Sequence, residues 1–413
     1  MSPSHVVLLE KEQHFQITQR QHEMDQDALR RTIANHISED SARRDQEDED
    51  AIVLFMAMAY LGTPGQFRRF RTYLTRADLP LSPMAHSAWA YMWNTRCDRA
   101  FITTMGIDVG TFDDLLGRFS ETWNFSTIDR GDVNPHGEPQ LGRRSLDAAG
   151  TLGLVLHWLC STMSSYSLQQ LFGITPAVCS RYLACGMDHL LEVLKAHPQA
   201  RFLWPTTKHK AKVYSEPIQK NFPLLTKCFG FFDGLNLPVL VSDDEDIQNV
   251  YYNGWTCSHY CSCILAFASD GTIMHAILNA PGSWHDSTIA EPIYDQLQKR
   301  ILAPVKRGDR LPEDSVDFAR LQLLNEQLVS ARQAAEWGMR SIQGSFARLK
   351  LPLPATDHEY RLKILQIVCR LHQLRCRLVG INQTATVYQS VWDEDQILCC
   401  EFHKMMLVAW VVG

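Results

Sequence analysis

Apolar residues recur every three or four positions in much of the chain between residues 51 and 200. This spacing predicts helices over AIVLFMAMAY at residues 51–60 and over TFDDLLGRF at 111–119. Three further helices are predicted within residues 146–195. They are LDAAGTLGLVLHWLC, the short SLQQLFG and, after the turn ITPA, AVCSRYLACGMDHLLEVLK. We therefore interpret residues 51–200 as a helical region.

The pattern changes after residue 226 to short apolar runs bounded by turn residues, which predicts strands. The predicted strands are KCFGFFDG, LPVLV, CSCILAFASDG and TIMHAILNA. Asp270 and Gly271 predict a hairpin turn between the last two. Helical spacing then returns at residues 288–299, 311–349 and 360–378. Strands followed by helices in one unit predict a mixed α/β layer fold.

The two ends of the chain have different compositions. Residues 1–50 are poor in aromatic residues and end in a run of charges, which predicts a disordered acidic tail, whereas residues 381–413 give no clear pattern. The net charge of −6 argues against a surface covered in basic residues, although it allows local basic patches. Twelve scattered cysteines and a polar N-terminus without a signal-peptide pattern predict an intracellular protein. No apolar run approaches the roughly 18 residues of a membrane span.

The helices within residues 146–195 are arranged like a helix-turn-helix. Gly173 can end one helix, Thr175 can act as the N-cap of the next, and Pro176 suits its first position. Ser180 and Arg181 would then lie near the start of a recognition helix, where such helices contact DNA. An ordinary three-helix bundle has the same spacing.

A basic segment follows this helical region. ARFLWPTTKHKAKVY contains Arg201, Lys208, Lys210 and Lys212, and KHKAK is its most basic part. We interpret it either as a linker that contacts DNA phosphates or as a solvated loop.

Three carboxylates stand out in the second half of the chain. Asp233 lies where the apolar run FF stops, Asp286 lies in the loop GSWHDS, and Glu336 begins the basic helical segment EWGMRSIQGSFARLK. Together such carboxylates can share divalent metals, which stabilise the oxygens of a phosphodiester during cleavage. Separately, the ordinary alternatives are a turn residue, a helix N-cap and a mid-helix glutamate.

The cluster CSHYCSC offers a second metal hypothesis. Cys257, His259, Cys261 and Cys263 are zinc-ligand types, but their spacing is not that of paired CxxC knuckles and no second cluster follows. A strand explains this segment better. His285 beside the loop aspartate could assist a metal site, but it is a single histidine.

Several separated blocks resemble the DDE superfamily endonuclease domain of PIF/Harbinger-type transposases. The blocks are FFDGLNLPV, YYNGW, the strands around FASDGTI, PGSWHDS and EWGMRSIQGSFARLKLPLP, in the order that the family has them. The resemblance covers residues 226–378, and the helices upstream resemble the DNA-binding part of such proteins. It implies an RNase H-like fold, with a mixed sheet flanked by helices and acidic residues that converge on two Mg²⁺ or Mn²⁺ ions.

The resemblance also implies roles for individual residues. Asp233 matches the first catalytic aspartate, at the end of the first strand, and Glu336 matches the catalytic glutamate on a helix. Carboxylate oxygens suit Mg²⁺. Metal-bound water or a DNA 3′-hydroxyl would attack phosphorus, while Arg340, Arg348 and Lys350 either contact the DNA backbone or keep the helix soluble.

This sequence departs from the family at the second catalytic aspartate. The family carries it on a strand upstream of the glutamate in a block resembling "ADTAFP", whereas IYDQLQKRILAPVKRGDRLP stands here. We expect one interior strand beside the first strand to be missing, together with a metal ligand. Asp286 is then the first candidate for the third ligand, and Asp309 and Asp314 are weaker ones.

The resulting hypothesis is a transposon-derived, DDE-type nuclease with little or no cleavage activity. The alternative is a catalytically inactive DNA-binding or scaffold protein with the same origin. In either case we expect DNA as the substrate or ligand, a nuclear location and no membrane association. The family resemblance adds a Myb-like DNA-targeting partner and an oligomer as open expectations.

Overall fold

The computed structural model describes residues 73–128, 137–297 and 314–388, together with residues 303, 305 and 312. The predicted acidic tail, the apolar segment at residues 51–60, Asp309 and the end of the chain from residue 389 lie outside the described residues. All structural statements below concern the described part.

The helical region contains short helices followed by longer ones. The helices are α1 (Pro83–His86), α2 (Ala88–Thr95), α3 (Asp98–Met105), α4 (Val109–Phe125), α5 (Ala148–Cys160), α6 (Ser165–Phe172), α7 (Pro176–Ala196) and α8 (Lys208–Asn221). Residues 148–159 of α5 are buried all around, as expected for an apolar helix at the centre of a bundle. The helices predicted within residues 111–119 and 146–195 are confirmed.

Local capping signals explain where these helices begin and end. The Asp147 side chain accepts a hydrogen bond from the Gly150 amide at the start of α5. Gly173 ends α6 with a φ of 66°, which a residue without Cβ adopts easily. Pro176 is the first residue of α7, as predicted, and Thr175 occupies the N-cap position without a side-chain hydrogen bond.

The sheet consists of antiparallel strands around one buried central strand. The strands are β1 (Gly230–Pro238), β2 (Tyr252–Asn253), β3 (Ser258–Ala268) and β4 (Ile273–Pro281). β3 pairs with β1 along one edge and with β4 along the other, and β2 pairs with its first two residues. Gly271, with a φ of 74°, lies in the hairpin turn between β3 and β4, which confirms the turn predicted there. Residues 260–268 are all buried because helices cover both faces of the central strand.

Two details of the predicted strands were wrong. Asp233 does not end a strand, because β1 continues through it to Pro238 and places it opposite Leu265. LPVLV is not a separate strand, because its first two residues complete β1. Val239 then makes only a single parallel bridge with Leu353. An aspartate followed by glycine is a common turn pair in sequences, whereas pairing with β3 keeps Asp233 and Gly234 extended.

The remaining helices flank this sheet. They are α9 (Glu245–Tyr251), α10 (Asp286–Ile289), α11 (Glu291–Gln296), α12 (Ser315–Ser345), α13 (His358–Leu374) and α14 (Gln383–Tyr388). The second half of α12 packs on β1 and β3, and α13 packs on β4. A Cβ on Gly338 would lie 2.6 Å from the Phe267 ring, so this glycine permits the close approach of α12 to the sheet.

One hydrophobic core runs from the helical region into the sheet. It includes Trp89 of α2, Leu190 of α7, Leu265 of β3 and Leu371 of α13. Packing is therefore continuous across the predicted boundary, where the helical region ends at residue 200 and the nuclease-type domain begins at residue 226.

Arg361 of α13 supports this arrangement from inside the protein. It is fully buried, and its guanidinium lies 4.4 Å from the ring of Tyr251. Nε donates a 3.0 Å hydrogen bond to Asn279 Oδ1, and Nη1 donates one of 2.6 Å to the Ala355 carbonyl. A buried guanidinium needs such partners, and these join β4, α9 and the segment before α13.

Candidate acidic site

Asp233 places a carboxylate in the middle of β1, which is an edge strand among the strands that the structure describes. Its side chain is only 19% exposed, and it forms a salt bridge with Arg332 of α12. Arg332 Nη2 donates to both Oδ1 and Oδ2 of Asp233 at 3.1 Å each. Both carboxylate oxygens are thus already paired with one positive charge.

Asp286 lies close to this carboxylate. A Cβ on Gly234 would come within 2.7 Å of Asp286 Oδ2, so the absence of a side chain next to Asp233 lets Asp286 approach β1. Partial burial, followed by the negative charge of Asp233, raises the pKa of Asp286, while His285 and Arg332 oppose that rise. The charges of Asp233 and Asp286 therefore interact, although Asp286 packs against Gly234, whose Cβ direction is opposite to that of the Asp233 side chain along the strand. Asp286 is the first residue of α10 and not its N-cap, which is His285.

Glu336 lies on the same helix as Arg332, one turn further on. Its side chain is 47% exposed and forms a 3.7 Å ion pair with Arg340, another turn along α12. The described residues contain no group of three or more His, Cys, Asp or Glu side chains placed to hold a metal ion. Glu336 is therefore not gathered with the two aspartates into one cluster.

The weaker candidate Asp314 lies far from this site. It is the N-cap of α12, where its side chain accepts hydrogen bonds from the Val316 and Asp317 amides at 3.2 Å. At a rise of about 1.5 Å per residue it stands roughly 30 Å along the helix from Glu336. Asp314 therefore caps a helix, and the proposal that it supplies a third ligand is wrong.

The residues present fit one divalent cation better than two. Asp233 and Asp286 offer hard oxygen donors on adjoining segments, which suits Mg²⁺ or Mn²⁺. Burial, followed by the negative charge of Asp233, raises the pKa of Asp286, and a shared cation would relieve the second of these effects. The third carboxylate expected from the family resemblance does not join them in the described part of the chain.

The outer edge of β1 bears on the expectation that one strand is missing. Among the described strands, β1 pairs with β3 alone, and the Val239–Leu353 bridge lies on its other side at the very end. An additional strand carrying a further aspartate would pair along that edge. Within the described residues this edge of the sheet has no neighbouring strand beside Asp233, and the loss of a strand stays a prediction.

The residues predicted for a recognition helix, Ser180 and Arg181, lie at the start of α7. Ser180 is exposed, and its hydroxyl donates to the Pro176 carbonyl at 3.2 Å. Arg181 Nε donates to the Ala177 carbonyl at 2.9 Å. Both side chains are therefore placed near the N-terminus of α7, as predicted, and their contact with DNA stays a prediction.

The basic segment at residues 208–212 is a helix, not a linker or a loop. Lys208 begins α8, and the Thr207 hydroxyl accepts from the Lys210 amide as the N-cap. Both lysines are exposed, whereas Lys212 forms an ion pair with Glu216 on the same helix. The first turn of α8 therefore presents two positive charges to solvent.

The basic residues that follow Glu336 differ in their surroundings. Arg340 and Lys350 are exposed. Arg348 packs its guanidinium 4.3 Å from the Trp158 ring and donates to the Met163 carbonyl at 3.4 Å. Burial lowers the pKa of Arg348. Arg348 therefore holds its helical segment against α5 and the loop that follows α5.

The cysteine-rich segment forms strand β3, as preferred from the sequence. Cys261 and Cys263 are buried in it, whereas Cys257 is exposed in the turn before it. No zinc-binding group is present within the part of the chain that the structure describes.

Sequence reasoning missed two residues of the acidic site. Arg332 lies four residues before Glu336, a spacing that places both on one helix face. That spacing is visible in SARQAAE, but Asp233, the partner of Arg332, lies 99 positions earlier in the chain, on β1. Gly234 after an aspartate indicates a turn in the sequence, and its contact with Asp286 depends on a loop that folds back on β1.

Comparison with known proteins adds one finding. Residues 232–373 match a family model described as DDE superfamily endonuclease, and this range contains Asp233, Asp286 and Glu336. No curated protein and no solved structure matches the chain. None of the helices in the described residues has the length and apolar character needed to cross a membrane.

Proposed function

We propose that this protein binds DNA through a transposase-type fold and has little or no cleavage activity, since residues 232–373 match a family model described as DDE superfamily endonuclease. The antiparallel strands β1, β3 and β4, followed by a helix carrying Glu336, support an RNase H-like arrangement. Enzymes of this superfamily use divalent metals. A bound cation would stabilise charge on a phosphodiester and activate water.

The proposal of little or no cleavage activity rests on the ionic partners of the three carboxylates. The charges of Asp233 and Asp286 interact, but Asp233 is bound by Arg332, and Glu336 pairs with Arg340. Two-metal cleavage needs ions about 4 Å apart to stabilise both the attacking and the leaving oxygen. Two gathered carboxylates can hold one cation but leave the second without its ligands.

A competent nuclease is the second candidate function. Glu336 lies one turn from Arg332, so its carboxylate starts on the helix face that meets Asp233. This function requires the Glu336 side chain to leave Arg340 and turn towards Asp233. Hydrolysis and strand transfer at transposon ends would then follow the family chemistry.

Several features support DNA as the partner. Lys208 and Lys210 place two exposed charges at the start of α8, and Ser180 and Arg181 occupy the start of α7. Such local charge can bind phosphates although the chain is acidic as a whole. A nuclear location, membership of the Harbinger group, a Myb-like targeting partner and an oligomeric state are parts of the same proposal.

Fluorescence anisotropy with a labelled DNA duplex tests the DNA-binding part of this proposal. We expect wild-type protein to bind at low salt and to weaken as salt rises, because phosphate contacts release counterions. The double variant K208Q/K210Q should lower the affinity and reduce the salt slope by about 2.

The matched control is Lys220→Gln at the other end of α8, which should leave both the affinity and the slope unchanged. Absence of duplex binding at low salt would contradict the proposed function. An unchanged slope in the double variant would show that α8 does not contact the phosphates.

A further inference from the structure

We propose that Arg332 competes with a divalent cation for Asp233, so that binding of a metal requires its guanidinium to leave the carboxylate. The inference rests on the proposed function, because it concerns the cation of that same site. It assigns a role to a residue of α12 other than the three carboxylates.

The hydrogen bonds define the competition. Arg332 Nη2 contacts both oxygens of Asp233 at 3.1 Å, so the guanidinium occupies the side from which a bidentate carboxylate would hold a metal. A divalent cation and a guanidinium at the same two oxygens would repel each other strongly at this short separation. One must therefore leave before the other binds.

The surroundings of the two partners differ in a way that permits exchange. The Asp233 carboxylate is held on β1 and is 19% exposed, whereas the Arg332 side chain is 54% exposed. The backbone of α12 at this point is fixed by the buried residues Ala331, Ala334 and Ala335. The long side chain of Arg332 can thus move into solvent without moving the helix.

A released Arg332 has another acceptor within reach. Glu336 lies four residues further along α12, at the spacing that favours side-chain ion pairs. Glu336 is 47% exposed and is held only by the 3.7 Å contact with Arg340. Arg332 can therefore leave the Asp233 carboxylate on β1 and pair with the Glu336 carboxylate on its own helix.

Manganese titration of purified full-length variants tests the competition. Free Mn²⁺ is followed by electron paramagnetic resonance for wild type, Arg332→Gln, Arg332→Lys and the control Arg320→Gln. Arg320 is an exposed arginine in the first half of α12. We expect R332Q to bind Mn²⁺ roughly two- to fivefold more tightly, the range for a partly exposed ion pair.

The other variants separate charge from structure. R332K keeps the positive charge and R320Q keeps Arg332, so both should bind Mn²⁺ as wild type does. Addition of Asp233→Asn to R332Q should remove the gain. In thermal melts R332Q should lose stability without metal and recover more than wild type does on adding Mn²⁺, because ligands stabilise the state that binds them.

Equal or weaker Mn²⁺ binding by R332Q would overturn the competition. If wild type and R332Q both bind DNA and neither binds Mn²⁺, the cation site itself is contradicted together with the competition. If wild type binds Mn²⁺ and R332Q does so equally, only the role of Arg332 fails and the proposed function stands.

Discussion

Asp286 shows how the surroundings of one side chain set its chemistry. It is a loop residue at the start of a four-residue helix, but its carboxylate lies against Gly234 and near Asp233. Partial burial and the charge of Asp233 raise its pKa, which means that the folded protein disfavours its ionised form. Functional sites commonly contain such groups and lose some stability for them.

Replacement of Asp286 by Asn should raise the melting temperature at neutral pH. At pH values between the unfolded pKa of 3.8 and the raised folded pKa of Asp286, the folded wild-type protein binds more protons than the unfolded protein. Its stability therefore falls as pH rises through that window. The amount by which the melting temperature of D286N exceeds that of wild type should therefore grow from acid to neutral pH. Thermal melts between about pH 4 and 7 measure it.

Asp295→Asn, an exposed site on α11, is the control and should show no such growth. A D286N protein that is less stable than wild type at neutral pH would contradict the repulsion between the two aspartates.

The candidate residues themselves could be identified from the sequence, but their contacts could not. Asp233 and Asp286 stood out through the motifs around them. The approach of Asp286 to Gly234 requires the loop after β4 to return to β1, and the Arg332 salt bridge joins residues 99 positions apart. Local spacing carries no information on such pairs.

At the scale of elements, the docking of α12 decides where Arg332 and Glu336 lie. Gly338 faces the Phe267 ring of β3, and buried alanines at 331, 334 and 335 continue the same face. The small side chains allow the helix to approach the sheet closely. Farther along α12, Gly344 has no atom within 4 Å of an added Cβ, so it provides a matched comparison.

Gly338→Ala should destabilise the protein by about 1–3 kcal/mol, because the new methyl group overlaps the Phe267 ring. Gly344→Ala should stabilise it by up to about 1 kcal/mol, since alanine favours the helix over glycine. Urea unfolding of both variants measures the difference. Equal stabilities of the two variants would contradict the close packing of α12 on β3.

Helices were easier to predict than strands for a physical reason. Gly173, Pro176 and the cap at Asp147 act within a few residues, so the helices at 146–195 could be read from the sequence. The extent of β1 depends on pairing with β3, some 30 residues away. Asp233 and Gly234 therefore look like a turn in the sequence and are extended in the structure.

At the scale of the whole molecule, the acidic site and the helical region belong to one packed body. Gln373 of α13 donates to the Arg201 carbonyl at 2.9 Å, and Arg370 donates to the Ala200 carbonyl at 3.4 Å. Helix α13 also packs on α7. DNA bound at α7 or α8 would thus be held at a fixed position relative to Asp233.

Activity is harder to predict from the sequence than similarity to a family. Residues 232–373 match a family model described as DDE superfamily endonuclease, whereas cleavage depends on whether the carboxylates converge on the metal ions. In the described residues the charges of Asp233 and Asp286 interact, and Glu336 is paired with Arg340.

Cleavage of a labelled DNA duplex in the presence of Mn²⁺ or Mg²⁺ tests the central claim most directly. Wild-type protein is compared with Asp233→Asn and Glu336→Gln, each shown to be folded by a cooperative melt. The incomplete carboxylate set predicts that wild type binds the duplex and gives no more product than the two variants. Metal-dependent cleavage by wild type that both substitutions abolish would contradict it, and would show that Glu336 joins the aspartates when metal and DNA are bound.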